Sequence, residues 1–193
     1  EELRPLMEEA LGLARRRGDR YWELRHTANL MEDDWLRGDW DEAAARGESL
    51  RHDGILDATE TNALCRLARI AIDRADPDRA RAVLAHISSE VEAGDAQQRG
   101  AALMRRQLEH ELDGSPDAAL ADVAAGLALA NESRNSTNVS ELLVDAARYA
   151  VETGSYDTAL AAVDDGLHTR AIDSQLYRLR ANAAVAAGDD GAA

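Results

Sequence analysis

The amino-acid sequence predicts an all-α fold built from successive helix hairpins, and two observations support this prediction. The first is the composition, in which alanine and leucine dominate the apolar residues, while Phe is absent and aromatic residues make up only 4%. Alanine and leucine favour helices, whereas strands favour the β-branched and aromatic side chains that are scarce here. The second is an internal repeat, which determines the architecture of a helical chain.

The repeat consists of a turn residue, an aspartate and an alanine that begins an apolar run. Four copies run from Gly38 to Ala43, from Asp76 to Ala80, from Gly114 to Ala119 and from Gly154 to Ala159. Partial copies supply Ala10 and Ala193, so the alanine recurs at intervals of 33, 37, 39, 40 and 34 residues, which is typical of one helix hairpin per repeat. We expect Gly or Pro to end the first helix of each hairpin, the aspartate to cap the second, and the alanine to let the helices approach closely.

The first helices of the hairpins share a pattern of apolar residues. Before Ala80 and before Ala159, such residues stand 16, 13, 12 and 9 positions earlier. They are Leu64, Leu67, Ala68 and Ala71 in one hairpin and Leu143, Ala146, Ala147 and Ala150 in the other. These offsets lie on one face of a helix and predict its buried side. A third copy precedes Ala193, whereas the helix at 103–112 fits only in a shifted register and the one at 22–36 fits loosely.

The turn sequences Gly-Asp-Trp-Asp-Glu-Ala-Ala, from Gly38, and Gly-Ser-Tyr-Asp-Thr-Ala-Leu, from Gly154, resemble the turn and second helix of tetratricopeptide repeats. The resemblance covers nearly the whole chain and implies a right-handed α-α superhelix of about five hairpins. The long repeat intervals are similar to the divergent repeats of large bacterial ATPase regulators. These include LuxR-type transcriptional activators and the ATPase regions linked to nucleotide cyclases.

We interpret residues 1–193 as a single helical repeat domain. The predicted elements are a second helix at about 3–17, hairpins at about 20–52, 58–93, 97–131 and 138–169, and a first helix at about 173–187. Repeat stacks need polar caps, and the two end hairpins are incomplete. We therefore expect the sequence to be a piece of a longer protein, whose other domains carry an enzymatic or DNA-binding function.

The charge of the chain limits its partners. It carries 37 acidic against 22 basic residues, all of them arginine, for a net charge of −15. A negative field repels phosphate backbones and anionic membranes, so neither nucleic acid nor a membrane is predicted as a direct partner. The single cysteine, Cys65, and the absence of a run of ~18 apolar residues predict a cytoplasmic protein.

No constellation of residues predicts catalysis, a metal or a cofactor. A Gly-x-x-x-x-Gly-Lys phosphate loop is excluded because the chain has no Lys. Histidines occur singly, without a His-x-x-x-His pair, at His26, His52, His86, His110 and His168. Cys65 is interpreted as a small core residue rather than a nucleophile. Trp22, Trp35 and Trp40 either form an aromatic contact patch or pack the first hairpin, and packing is favoured.

The resemblance also implies a groove lined by the first helices. Carrying its positions over by offset gives the candidate ligand-binding residues Asn62, Arg66, Arg69, Arg105, Arg148, Arg178 and Asn182. These side chains would make a basic and amide-rich strip suited to peptide carboxylates. The alternative is that the arginines pair with neighbouring aspartates and glutamates on the surface.

Two functions follow as hypotheses. The first is a non-catalytic protein- or peptide-binding scaffold within a bacterial regulator, whose partner is another protein or the other domains of its own chain. This hypothesis is compatible with a homodimer. The alternative is an effector-sensing arm of an ATPase, a LuxR-type transcriptional regulator or a nucleotide cyclase.

Overall fold

The computed structural model describes residues 3–51, 57–87, 94–133 and 139–168, together with residue 183. Within these residues the chain forms helices and turns without any strand, so the prediction of an all-α fold is confirmed. The helices are α1 (Leu3–Arg17), α2 (Arg20–Arg37), α3 (Trp40–Ser49), α4 (Ala58–Asp73), α5 (Pro77–Leu84), α6 (Ala96–Leu112), α7 (Pro116–Ser133), α8 (Val139–Glu152) and α9 (Tyr156–His168). The first helix predicted at about 173–187 lies outside the described residues, apart from Ala183.

The chain divides into two compact units, 1–105 and 106–193. In the first unit α2 packs against α1, α3 and α4, and α4 packs in addition against α3 and α5. In the second unit α8 packs against both α7 and α9. The helices from α1 to α5, and those from α7 to α9, are therefore neighbours in sequence order, and α2 also contacts the next first helix, α4. The interpretation of 1–193 as one repeat domain stays a prediction.

The hairpin turns share one backbone geometry. A residue with positive φ ends the first helix in each, at Gly38 (84°), Ala75 (58°), Gly114 (68°) and Gly154 (75°). The next amide donates to the carbonyl five residues back, as from Asp76 to Ala71 at 2.9 Å, which is a bond of the Schellman motif. Glycine adopts positive φ without steric cost. Among the described residues Ala75 alone adopts it with a Cβ atom.

The repeated alanine has the same environment in every described hairpin. Ala43, Ala80, Ala119 and Ala159 are all completely buried. The apolar positions predicted on α4 and α8 are also buried, and so are the same offsets on the loosely fitting α2. On α6 the buried apolar residues Ala101, Met104 and Leu108 stand two residues earlier than their counterparts, whereas the buried Gln107 stands at the unshifted offset of twelve, so the register of that helix is shifted only in part.

The repeated aspartate does not cap the second helices, contrary to the sequence interpretation. It lies within the first turn of each second helix, at Asp41, Asp78, Asp117 and Asp157. There its charge interacts favourably with the helix dipole. The cap stands two residues earlier, where the Asp76 side chain accepts from the Arg79 amide at 3.1 Å and Asp39 makes no such bond.

Candidate binding strip on the first helices

The first unit places its candidate residues on α4, which is buried around nearly its whole circumference. The helix begins with a capping box, in which Asp57 accepts from the Glu60 amide at 2.9 Å and the Glu60 side chain accepts from the Asp57 amide. Asn62 and Arg66 are 8% and 5% exposed. The predicted strip is therefore enclosed along α4 rather than open to solvent.

Arg66 is held by two side chains of α2. Its guanidinium lies 3.1 Å from the Glu32 carboxylate and 5.8 Å from the centroid of the Trp35 ring. Glu32 remains 43% exposed, so the pair joins a buried cation to a solvated acid. On the same helix as Arg66, Arg69 lies 3.9 Å from Asp73, one turn away. The arginines predicted to meet a ligand thus have acidic partners within the unit.

Asn62 differs from the arginines, because its side-chain oxygen is buried without a hydrogen-bond partner. The hydroxyl of the preceding Thr61 is also buried and unpaired. Buried polar atoms normally find partners, so these two atoms mark the polar part of α4 that the surrounding helices do not satisfy.

The second unit places Arg148 in a network between α6 and α8. The guanidinium donates to both oxygens of Glu111, at 2.7 and 2.9 Å, and to Asp145 at 3.1 Å. The fully buried Tyr149 donates its hydroxyl to Glu111 at 2.5 Å. A bidentate pair of this kind is strong and orients both helices. Gln107 adds a hydrogen bond from its amide to Asp145.

Of the remaining candidates, Arg105 is half-buried on α6, whereas Arg178 and Asn182 lie outside the described residues. Sequence reasoning missed Glu32 and Glu111 as partners of the predicted arginines. The signal that could have found them is spacing, because the acid precedes its arginine by 34 residues in one pair and by 37 in the other, close to one repeat interval.

Two buried aspartates were also missed. Asp34 is completely buried on α2, with Arg4 of α1 at 2.7 Å and Arg46 of α3 at 2.6 Å. The carboxylates of Asp34 and of the adjacent Asp33 beside Arg4 raise the pKa of its guanidinium above the ordinary value. Asp122 of α7 is also buried, 2.6 Å from Arg106 of α6. Both aspartates join neighbouring helices through charge.

Two further carboxylates, Glu48 and Asp33, each accept hydrogen bonds from two arginines. Burial tends to raise the pKa of Glu48, but hydrogen bonds from Arg51 and Arg79 outweigh it and leave the pKa below its ordinary value. The pKa of Asp33 is lowered in the same way, because bonds from Arg4 and Arg37 outweigh burial. Both acids therefore stay ionised within the first unit.

Among the described residues, the other reactive side chains form no cluster. Cys65 is buried, as expected for a core residue. No group of three His, Cys, Asp or Glu side chains within the described ranges is arranged to hold a metal ion. A cavity of about 30 Å³ between α3, α4 and α5 has room for water rather than for an effector molecule.

The tryptophans do not behave alike. Trp40 begins α3 and Tyr156 begins α9, and both are half-buried at the hairpin turn, as the sequence interpretation expected. Trp35 contacts Arg66, also within the first unit. Trp22 differs, because 47% of it is exposed, so its assignment to the packing of the first hairpin is wrong.

Comparison of the chain with protein-family models, with curated proteins and with solved structures finds no match. Among the helices in the described parts of the chain, none has both the length and the apolar character needed to cross a membrane.

Proposed function

We propose that the chain is a non-catalytic protein- or peptide-binding module of tetratricopeptide-like hairpins stacked in a right-handed superhelix, within a larger bacterial regulatory protein of the cytoplasm. The observation that carries the proposal is the fully buried alanine after the same turn in four successive hairpins. Tandem hairpins cover their apolar faces by packing on one another and leave long surfaces for partners.

Charge limits the peptides that the module can bind. The strip on α4 has its guanidiniums occupied by acids, so a ligand there would meet the solvated Glu32 and Asp73 at its edges. Peptides that bind the strip are therefore expected to be neutral or basic.

The test is selection of peptides from a displayed random library on the immobilised chain, followed by fluorescence anisotropy of the selected peptides. The proposal expects saturable binding, with dissociation constants in the range of about 1–100 µM. A library that gives no saturable binder contradicts it.

A matched pair of variants on α3 shows whether binding needs the intact hairpins. Ala43→Glu inserts a charge at a fully buried position, whereas Ala45→Glu inserts the same charge at an exposed one. Selected peptides should bind Ala45→Glu as they bind the parent and fail to bind Ala43→Glu, because a buried unpaired charge disrupts packing. Equal binding to both variants would mean that the peptides do not recognise the folded module.

A further inference from the structure

The turn between α1 and α2 carries exposed arginines close in sequence to exposed apolar side chains. We call it the α1–α2 turn surface and define it by Leu13, Arg16, Arg17, Tyr21 and Trp22, all of which are exposed. Leu13 stands three and four residues before the two arginines, so these three side chains share one face of α1. The two aromatic residues follow across a tight turn. The surface therefore combines positive charge with apolar area.

The positive charge of this surface is not neutralised locally. Arg15 and Arg20 both pair with Glu23, at 3.2 and 3.0 Å, and the bond from Arg20 lowers the pKa of that carboxyl. Arg16 and Arg17 are exposed and form no ion pair with any residue that the structure describes. In a chain of net charge −15, two unpaired arginines side by side mark a position where an external anion is favoured.

The aromatic residues are held in a fixed arrangement while remaining exposed. Tyr21 and Trp22 meet edge to face with ring centroids 5.3 Å apart, and Trp22 stacks on His26 at 5.6 Å. Tyr21 is 56% exposed despite these contacts. Its hydroxyl accepts a hydrogen bond from Arg25 at 3.3 Å. Rings that are already ordered lose little entropy on binding, as in residues that dominate protein interfaces.

We propose that the α1–α2 turn surface binds an acidic peptide segment that also carries an apolar side chain. The carboxylates pair with Arg16 and Arg17, and the apolar side chain packs on Trp22 and Leu13. This inference rests on the proposed function and adds to it a second contact, away from the strip on α4, for an acidic segment of a partner.

Two arginines are too few to favour a long polyanion. Affinity for nucleic acid grows with the number of phosphates neutralised, and this surface offers two unpaired arginines. An anionic bilayer is recognised by clusters of about 4–8 basic residues. A short peptide needs only the two arginines and the aromatic pair.

The experiment measures binding of a fluorescein-labelled peptide of about ten residues, composed of aspartate and glutamate around a central leucine pair. We expect saturable binding that weakens at about 0.5 M salt, because exposed ion pairs are screened. Arg16→Gln with Arg17→Gln should weaken binding about tenfold, and Trp22→Ala by a similar factor. The control is Arg81→Gln with Arg99→Gln, which makes the same change of charge at exposed positions elsewhere in the first unit and should leave binding within about twofold.

Equal loss in the test and control pairs overturns the proposal, because binding would then report overall charge alone. Absence of binding overturns it as well, and so does tighter binding of a labelled oligothymidylate or of phosphatidylserine vesicles in parallel titrations. Circular dichroism melts of each variant establish that the variants are folded. If library peptides bind the chain while the acidic probe does not, this inference fails and the proposed function stands.

Discussion

In each unit, one hairpin carries a polar side chain nine residues before the buried alanine and a second polar side chain three residues after it. In the first unit these are Asp34 of α2 and Arg46 of α3, which lie 2.6 Å apart. In the second unit they are His110 of α6 and Asp122 of α7, which lie 3.4 Å apart. The two positions face each other in both hairpins, but the acid and the base have changed places.

The other described hairpin of each unit has apolar residues at the same two positions. They are Ala71 and Val83 in the first unit and Ala150 and Ala162 in the second, all of them buried. The geometry of the hairpin is therefore compatible with an acid and a base in either order, or with two apolar residues. We infer that the turn and the alanine position the helices, while the pair of residues nine before and three after the alanine adjusts stability.

The two acid–base pairs differ in how much water reaches them. Asp34 is completely buried, and its second cation, Arg4, is also only partly exposed. Around Asp122 the bases are more open, with Arg106 47% and His110 37% exposed. Loss of a base should therefore leave a more isolated charge in the first unit than in the second.

The largest expected effect follows from this difference. Arg46→Val should reduce the free energy of unfolding by about 3 kcal/mol, because it leaves the buried Asp34 with one cation instead of two. His110→Ala should cost about 1 kcal/mol, since Arg106 still holds Asp122 at 2.6 Å and solvent is near. Urea unfolding followed by circular dichroism measures both values.

The double variant Asp34→Ala with Arg46→Val serves as the control, since it installs the apolar pair found at Ala71 and Val83. It should recover most of the stability lost in Arg46→Val, because an apolar pair can replace a buried ion pair at little cost. If the double variant is no more stable than the single one, the positions do not act as an exchangeable pair.

A second expected difference concerns the contacts between consecutive first helices. Glu111→Gln should cost about 1–2 kcal/mol, because the carboxylate accepts two bonds from Arg148 and one from Tyr149. Glu32→Gln is the matched change in the first unit and should cost less than about 0.5 kcal/mol, since that carboxylate is 43% exposed. The same unfolding measurement compares them, and similar losses would show that the two contacts are equivalent.

Much of the fold could be predicted because its determinants are local. Ala43 and its counterparts lie at a fixed distance from a turn, so a short motif was enough to predict both the hairpin and the buried contact. The aspartate was misassigned because Asp41 and Asp39 are two residues apart, and only coordinates show which of them precedes the helix.

The polar contacts were predictable only in part, because they depend on register between helices. Arg66 and Arg148 were selected by offset from the alanine, but their partners stand on the preceding first helix, about one repeat away. The exposure of Trp22 depends on which neighbouring helices cover it. The local sequence pattern carries no information about those neighbours.

The smallest expected effect compares the turns of the two units. Ala75 adopts a φ of 58° where the corresponding turn of the second unit has Gly154 at 75°. Left-handed backbone costs a residue with a Cβ atom about 1–2 kcal/mol, and glycine loses about 0.5–1 kcal/mol of extra chain entropy on folding. Ala75→Gly should therefore stabilise the chain by up to about 1 kcal/mol.

Gly154→Ala should destabilise the chain by a similar amount, for the reverse reason. A Cβ atom built at Gly154 meets nothing within 4 Å, so the cost comes from the backbone alone. In thermal melts, the melting temperature should rise in Ala75→Gly and fall in Gly154→Ala, by about 2–4 °C per kcal/mol. If both variants shift the melting temperature in the same direction, the two turns are not equivalent, and the hairpins cannot be treated as copies of one unit.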